Sequence, residues 1–383
     1  MSENQVITPE QLEEYMQGLY AKSKVAQKKF EREFTTNRRV DEVLRAIGMK
    51  TCEYAEELCT DALNETKMGN VNDKMSKLKG IVFGQWAICK GQNTVDNEDS
   101  PLEPGIKILY KPMGVIGCVM PSTNPVATII GNAMMALKGR NSVIIAPHPM
   151  SVRLSVKMVK LLREALESVG APADLIQCIS EEYASREATN LMMSTCDACI
   201  STGGAGRVKA AYSSGKPAFG VGQGNVQEIV DLGISDAELE RQATLCVAHR
   251  AKDNGVPCAG AQTVHIHAQQ LEQWKGYMQE HGAFLIDKDE DIAALRALVF
   301  PDGGTKLNRA VVGKFPYQVG EMCGLNIPET AKIMLVKNQA WGEAEVLCRE
   351  ILFPIVRYTV YEKFEDAVDR AVANLEVEGA GHT

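Results

Sequence analysis

The chain has 383 residues, 45% of them hydrophobic and 23% charged, with a formal net charge of −8; that length calls for two or more domains, and the acidic balance argues against nucleic-acid binding. No apolar run reaches the roughly 18 residues that span a bilayer, and the polar N-terminus lacks a signal-peptide pattern. The 11 cysteines are odd in number and scattered without a disulfide framework, so reduced thiols in a cytoplasmic setting are expected.

The first predicted element is a helix opened by Thr8-Pro9-Glu10-Gln11, with a capping Thr, Pro at the first helical position and Gln three residues after the cap. Leu12, Tyr15, Met16, Leu19, Ala26 and Phe30 mark one face at helical spacing. The run Lys28-Lys29-Phe30-Glu31-Arg32-Glu33 is a solvated helix face. A second helical stretch carries Val40, Val43, Leu44, Ile47, Ala55 and Leu58 and is expected to end near Gly69. Residues 93–105 are polar and turn-rich, with a short strand at 106–110 beyond them. The segment 93–112 therefore reads as an excursion outside the core.

From Val115 the pattern alternates. Strands are predicted at 115–119, 143–146, 175–179 and 198–201, with helices near 126–138, 152–168, 185–193 and 204–212. Repeated βα units of this length imply a parallel sheet covered by helices on both faces. A second α/β region begins near Ile229, with strands near 264–267, 333–336 and 355–360.

Chemistry-bearing segments fall at the joints of this pattern. Pro121-Ser122-Thr123-Asn124-Pro125 joins a strand to a helix. Asn124 reads as a helix cap with Pro125 at the first position, or as an amide that hydrogen-bonds a developing oxyanion. Pro147-His148-Pro149 ends the next strand, and ligands of such sheets bind outside the carboxyl ends of strands. Ser201-Thr202-Gly203-Gly204-Ala205-Gly206-Arg207-Val208 follows a strand and opens a helix. Its spacing is not G-x-G-x-x-G; it is either a Gly-rich tight turn or a helix N-terminus left open for a phosphate.

Cys258 stands apart from the other cysteines, most of which lie in apolar periodic segments. It follows Asp253-Asn254-Gly255-Val256-Pro257, a turn sequence, and precedes the β-prone Thr263-Val264-His265-Ile266. A thiol displayed at the end of a tight loop is placed as a nucleophile. Cys196 and Cys199 form a C-x-x-C, but the second falls in a predicted strand, so core packing is expected rather than redox chemistry. His265 and His267 share one side of a strand without the further Cys or His that would complete a metal site.

Together these segments resemble the aldehyde dehydrogenase superfamily, and within it the CoA-acylating enzymes, over almost the whole chain. The resemblance rests on Pro121 to Pro125, on the run from Leu137 to Pro149, on Thr202 to Gly215, and on Gly220-Val221-Gly222-Gln223-Gly224-Asn225. It rests also on Asp253 to Cys258 and on the ending Glu378-Gly379-Ala380-Gly381-His382-Thr383.

That resemblance implies a Rossmann-like cofactor domain (1–228, with 93–112 as an oligomerisation element) and an α/β catalytic domain (229–383). It implies Cys258 as the nucleophile that forms a thiohemiacetal and then a thioester. Asn124 and the Cys258 backbone N–H would be the oxyanion hole. Thr202, Gly203, Gly204, Gly206 and Val208 would hold the diphosphate of NAD or NADP, with Pro147 and His148 near its adenosine end and Gly222 also in the cofactor site. No metal is implied. A homodimer or homotetramer acting on a small aldehyde is.

One absence points to the subclass. Hydrolytic relatives carry a Glu in a Glu-Leu-Gly-Gly motif as a base for water, whereas the matching 220–225 stretch holds no carboxylate and Glu228 is the first acid after it. A thioester spared from water fits transfer to coenzyme A. A hydrolytic enzyme and a non-catalytic scaffold subunit are the alternatives. Two departures accompany the resemblance. Ala261-Gln262 stands where acylating relatives often have Glu-Gln, and relatives continue for several tens of residues past Thr383, so the catalytic domain is expected to be truncated. The wording of 202–215 and 378–383 is most like acylating succinate-semialdehyde enzymes. For an anionic substrate Arg250 and Lys252 are candidate cations, or else surface charges on the helix before the loop.

Overall fold

A computed structural model describes residues 7–378; the 379–383 part of the C-terminal motif lies outside the described residues. The chain forms two compact units. One comprises the residues up to Thr66 together with Lys74–Val221, the other Lys67–Asp73 together with everything from Gly222.

The first unit opens with α1 (Pro9–Glu33). Its capping box is made: the Gln11 N–H donates to Thr8 Oγ1 at 3.3 Å, and the Thr8 N–H donates to Gln11 Oε1 at 2.9 Å. The single helix expected to run to Gly69 is instead α2 (Asn37–Glu53) and α3 (Ala55–Thr66), broken where Tyr54 leaves helical geometry at ψ 15°. Next come α4 (Val71–Cys89), whose first turn belongs to the second unit, and a hairpin of β1 (Glu98–Asp99) and β2 (Lys107–Ile108). That pairing is shorter than the strand expected at 106–110. Leu102, Ile106, Leu109 and Met113 around it are exposed.

The alternation then follows as β3 (Val115–Val119), α5 (Pro125–Lys138), β4 (Ser142–Ala146), α6 (Val152–Ser168), β5 (Ile176–Cys178), α7 (Arg186–Thr195), β6 (Ala198–Thr202), α8 (Ala205–Tyr212) and β7 (Ala218–Val221). The sheet is parallel throughout, in the order β5-β4-β3-β6-β7. Every residue of β3 and β4 is buried, as expected of central strands covered on both faces. α6 turns Leu154, Met158, Leu162 and Leu166 inward, a stripe at four-residue spacing.

The second unit contains β8 (Gln227–Val230), α9 (Asp236–Ala251), β9 (Thr263–His267), α10 (Leu271–Glu280), β10 (Ala283–Ile286), α11 (Asp289–Val299), α12 (Pro316–Cys323), β11 (Ile333–Lys337), β12 (Ile355–Tyr361) and α13 (Phe364–Glu378). Its parallel sheet has the order β10-β11-β12-β9-β8. Alternate residues serve opposite faces. Ile333 and Leu335 join a cluster around Trp274 and Val264, while Met334 and Val336 join one around Phe353 and Leu295.

Candidate active site

The turn that carries Cys258 is built from three consecutive residues in left-handed backbone. α9 starts at a capping box, Ser235 with Glu238, and ends at Ala251; Asp253 (φ 50°), Asn254 (φ 52°) and Gly255 (φ 68°) follow. Asp and Asn tolerate this region better than other L-residues. Gly255 has a second requirement, because a Cβ there would stand 2.2 Å from the Phe353 carbonyl carbon. The strained turn is clamped. The Asn70 N–H donates to Asp253 Oδ1 (3.0 Å), the Asp253 N–H to Asp73 Oδ2 (2.8 Å), and Asn254 Nδ2 to the Gly313 carbonyl (3.0 Å). This clamp is what ties Lys67–Asp73 to the second unit. A tighter turn follows, closed by Gly260 N–H to the Pro257 carbonyl at 3.2 Å. Within it Cys258 is half-buried, between fully buried Val256 and buried Ala261.

The order β12-β9-β8 gathers the segments leading into three adjacent parallel strands at one end of the sheet. These are the Cys258 turn before β9, the 220–226 stretch before β8 and the 349–354 stretch before β12. Backbone bonds join them: Gln262 N–H to the Val226 carbonyl and Arg357 N–H to the Gln262 carbonyl, both 3.0 Å.

Arg250 lies under this cluster with zero exposure, so it is not a surface charge on the helix before the loop, nor is it open to an anionic substrate. Nε donates to the Ile355 carbonyl (2.9 Å) and Nη2 to the carbonyls of Phe353 (3.0 Å) and Ile351. Burial, and then neighbouring Arg357, push it down to about 9, leaving it charged at neutral pH. Arg357 is also fully buried and donates to Gln262 Oε1 (2.7 Å) and the Arg349 carbonyl (2.8 Å). Lys252 is half-buried.

The 220–225 stretch has no acid of its own, yet the fold brings two to it. The Gly224 N–H donates to Glu350 Oε1 at 2.8 Å, and Gln223 Nε2 donates to Glu378 Oε1 at 3.2 Å. Burial pushes Glu350 up to about 7, against the Gly224 bond and with Glu378 adding to the rise. Burial raises Glu378 as well. Asn225 is fully buried; its Nδ2 donates to the carbonyls of Cys348 (2.8 Å) and Asn374 (3.0 Å), and its Oδ1 accepts from Gln227 Nε2 (3.0 Å). Nothing local in the sequence marks Glu350, and Glu378 is marked only as the first residue of the C-terminal motif; the fold is what places both acids here.

In the first unit the three expected loops leave the carboxyl ends of three adjacent strands, β4, β3 and β6, and chain order reverses between β3 and β6, the crevice where such sheets take ligands. Asn124 occupies the cap position of α5 but makes no side-chain capping bond. Its buried Oδ1 has no hydrogen-bond partner among the described residues. His148 accepts the Met150 N–H at Nδ1 (3.1 Å), capping a short 3-10 turn, with Pro147 buried before it.

At the start of α8 the glycines are informative. Gly204 has φ −62°, which any residue adopts, and a Cβ added at Gly204 or Gly206 would meet nothing within 4 Å. At Gly203 it would touch only the Arg207 side chain, at 3.3 Å. Neither backbone nor packing demands glycine at 204 or 206, so the open space at this helix N-terminus fits the close approach of a diphosphate. Gly220 is the contrast: its Cβ would stand 2.5 Å from Val208 Cγ1. Gly222 is open in the same way as Gly204.

The other sequence features have structural partners. Cys196 and Cys199 are buried, and burial raises both thiols. His265 bonds Thr359 Oγ1 (2.7 Å) and Gln227 Oε1 (3.2 Å), and His267 bonds the Glu362 carbonyl (3.2 Å). Among the described residues, no group of three or more His, Cys, Asp or Glu is placed to hold a metal, and no helix is long and apolar enough to cross a membrane. A groove of about 980 Å³ between β8 and α9 is lined by Ile234, Leu245 and the candidate cation Lys252 among others, but by none of the catalytic or cofactor-binding residues named from the sequence.

Comparison with known proteins identifies the family. The chain is 39% identical over 365 residues to a succinate-semialdehyde dehydrogenase (acetylating) from Clostridium kluyveri, an alignment covering 95% of this chain and 79% of that protein. Its fold matches the crystal structure of an acetylating aldehyde dehydrogenase from Geobacillus thermoglucosidasius with a TM-score of 0.89 and 30% identity, covering 96% of this chain and 80% of that one. It also matches a Rhodopseudomonas palustris propionaldehyde dehydrogenase, solved with bound CoA and an acylated cysteine, with a TM-score of 0.81 and 26% identity over 95% of this chain and 80% of that one. With the Aldehyde dehydrogenase family profile matching residues 11–288 as well, the chain belongs to the aldehyde dehydrogenase family.

Proposed function

We infer that the chain is a CoA-acylating aldehyde dehydrogenase that oxidises a small aldehyde with NAD(P)+ and passes the acyl group to coenzyme A, reversibly. What carries the reading is a half-buried thiol on a clamped turn beside a 220–225 stretch that holds no carboxylate of its own and whose fully buried side chain, Asn225, is an amide.

Cys258 Sγ, as thiolate, adds to the aldehyde carbon and forms a thiohemiacetal. On the family pattern the Asn124 amide and the Cys258 backbone N–H would donate to the oxygen that becomes negative, and the oxyanion is what can expel hydride. Thr202, Gly203, Gly204, Gly206 and Val208 would hold NAD(P)+, with Gly222, Pro147 and His148 at its margins, and the cofactor would supply the hydride acceptor. Cys258 then carries the acyl group as a thioester. The CoA thiolate attacks that carbonyl, the C–S bond to Cys258 breaks, and the enzyme thiolate returns. The Asn225 amide is not a base and is engaged with two carbonyls and Gln227, while the acids that reach the stretch, Glu350 and Glu378, accept from Gly224 and Gln223.

The relatives' names make succinate semialdehyde, sulfoacetaldehyde and propionaldehyde the first substrates to try. The same proposal includes a cytoplasmic homodimer or homotetramer. It draws on the β1–β2 hairpin as its contact element, because exposed Leu102, Ile106, Leu109 and Met113 surround it. Light scattering tests that part.

The chemistry is tested by incubating the protein with aldehyde and NAD(P)+ but no CoA and weighing the Cys258 peptide. An acyl mass that disappears on adding CoA, with acyl-CoA formed, is expected. No adduct favours a scaffold, and an adduct lost to free acid without CoA favours the hydrolytic alternative.

A further inference from the structure

An unperturbed cysteine is only a few per cent thiolate at about pH 7, so the nucleophile needs a neighbour that favours its anion. The sequence names no such group. The structure assigns it: we propose that Arg250 is the positioning residue of Cys258, holding its turn against the 351–355 strand approach and presenting a buried cation to its thiolate. The proposal rests on Cys258 being the nucleophile.

Three observations carry it. First, the Arg250 guanidinium is spent on backbone, with Nε and Nη2 on the carbonyls of Ile355, Phe353 and Ile351. Among the described residues it has no carboxylate within ion-pair distance. Second, its remaining nitrogen, Nη1, is buried and has no hydrogen-bond partner among the described residues. Third, that nitrogen faces the Cys258 turn. It lies 3.3 Å from the point where a Cβ on Gly260 would stand, and the Pro257 carbonyl lies 3.4 Å from the same point. A side chain at Gly260 would thus press on both Arg250 and the Pro257 carbonyl.

A guanidinium taken fully out of water without a partner anion is unfavourable, and an adjacent thiolate relieves that cost. Cys258 acts on Arg250 in this sense, as the smallest influence after those of Arg357, Glu350 and Cys246. Arg357 from β12, Glu350 from the segment before it and Cys246 from α9 also face Arg250. Glu350 competes with Cys258 for the same cation.

The test reads the thiol directly. Carbamidomethylation of Cys258 by iodoacetamide, followed on its peptide by mass spectrometry across pH 5–10, gives the midpoint of thiolate formation without aldehyde or cofactor. It therefore succeeds or fails separately from the acyl-transfer reading. In Arg250→Met the midpoint should rise by about one unit, an approximately tenfold slower reaction at pH 7, and Arg250→Lys should recover part of it. Glu350→Gln keeps an acceptor for Gly224 and removes the competing anion, so its midpoint should fall. A folded Arg250→Met with the parent midpoint overturns the proposal. If that variant does not fold, an unchanged or raised midpoint in Glu350→Gln does so.

Discussion

The Gly224 N–H donates to the Glu350 carboxyl at 2.8 Å, between residues 126 apart in sequence. The relationship matters because 220–225 is where hydrolytic relatives keep their base. Here the stretch supplies a donor and an amide, and the acid it meets arrives from the segment before β12. Glu350 is one of the charged groups around Arg250, so the acid belongs to the electrostatics under Cys258 as well as to the loop.

If Asn225 is a structural amide, removing it should cost stability before it costs chemistry. Asn225→Ala leaves two buried carbonyls without their donor. It should lower unfolding stability by roughly 3 kcal/mol, on the scale of 1–3 kcal/mol for each buried group left unpaired. Urea unfolding of the purified variant measures this; a loss below about 1 kcal/mol would place the amide's role elsewhere.

Glu350 makes a pH prediction. Burial raises it from the usual 4.5 to about 7, so the folded state holds a proton that the unfolded chain releases between those values. Its contribution to stability is therefore present in full below about pH 4.5 and is lost as pH rises through about 7. Raised Glu378 and Glu228 act in the same sense. His265, pushed down to about 4 by burial, acts oppositely as pH falls below its usual 6.5. Comparing Glu350→Gln with the parent cancels these others. The fall in Tm from pH 5 to pH 8 should be shallower in the variant, and equal slopes would mean that Glu350 does not titrate in this window.

Gly206 and Gly220 separate cradle from packing. Gly206→Ala adds a Cβ that meets nothing in the chain and favours the helix. Stability should rise by up to about 1 kcal/mol, while dinucleotide affinity falls about tenfold or more, a loss of roughly 1.4 kcal/mol. Gly220→Ala drives a Cβ into Val208 and Tyr212 and should cost roughly 1–3 kcal/mol of stability. Thermal melts beside fluorescence titration of NADH and NADPH distinguish the two.

Asn124→Ala should lower kcat by about 10²–10³-fold, the usual effect of losing one oxyanion donor, with a smaller change in KM. Its side chain makes no capping bond to α5, so Tm should stay near the parent value. A large loss of Tm with unchanged kcat in the folded fraction would return Asn124 to a structural role.

Much of this was legible in the sequence, and the gaps have a common cause. The central strands of both sheets are short apolar runs and were readable as such. The strands missed, β1, β7, β8 and β10, all lie at sheet edges, where one side lacks a neighbour; the apolar pattern is absent or weak in β1, Glu-Asp, β7, Ala-Phe-Gly-Val, and β8, Gln-Glu-Ile-Val, whereas β10, Ala-Phe-Leu-Ile, is a short apolar run that was passed over. The break between α2 and α3 carries no Gly or Pro to announce it. At the site, Cys258 and the glycines before α8 announce themselves through turn chemistry. Arg250 read as a substrate cation or a helix-face charge because only strand order puts the 351–355 carbonyls around it. The clamp from Asn70 and Asp73 was invisible for the same reason: it joins segments about 180 residues apart.

The central claim is that the Cys258 thioester is destined for CoA rather than water. The most direct measurement is steady-state NAD(P)H formation with succinate semialdehyde, sulfoacetaldehyde, propionaldehyde or acetaldehyde, each with NAD+ and NADP+, with and without CoA. For the aldehyde that is accepted, the account predicts one equivalent of NAD(P)H per site without CoA, then sustained turnover with matching acyl-CoA once CoA is added. Sustained turnover to the free acid in the absence of CoA would contradict it.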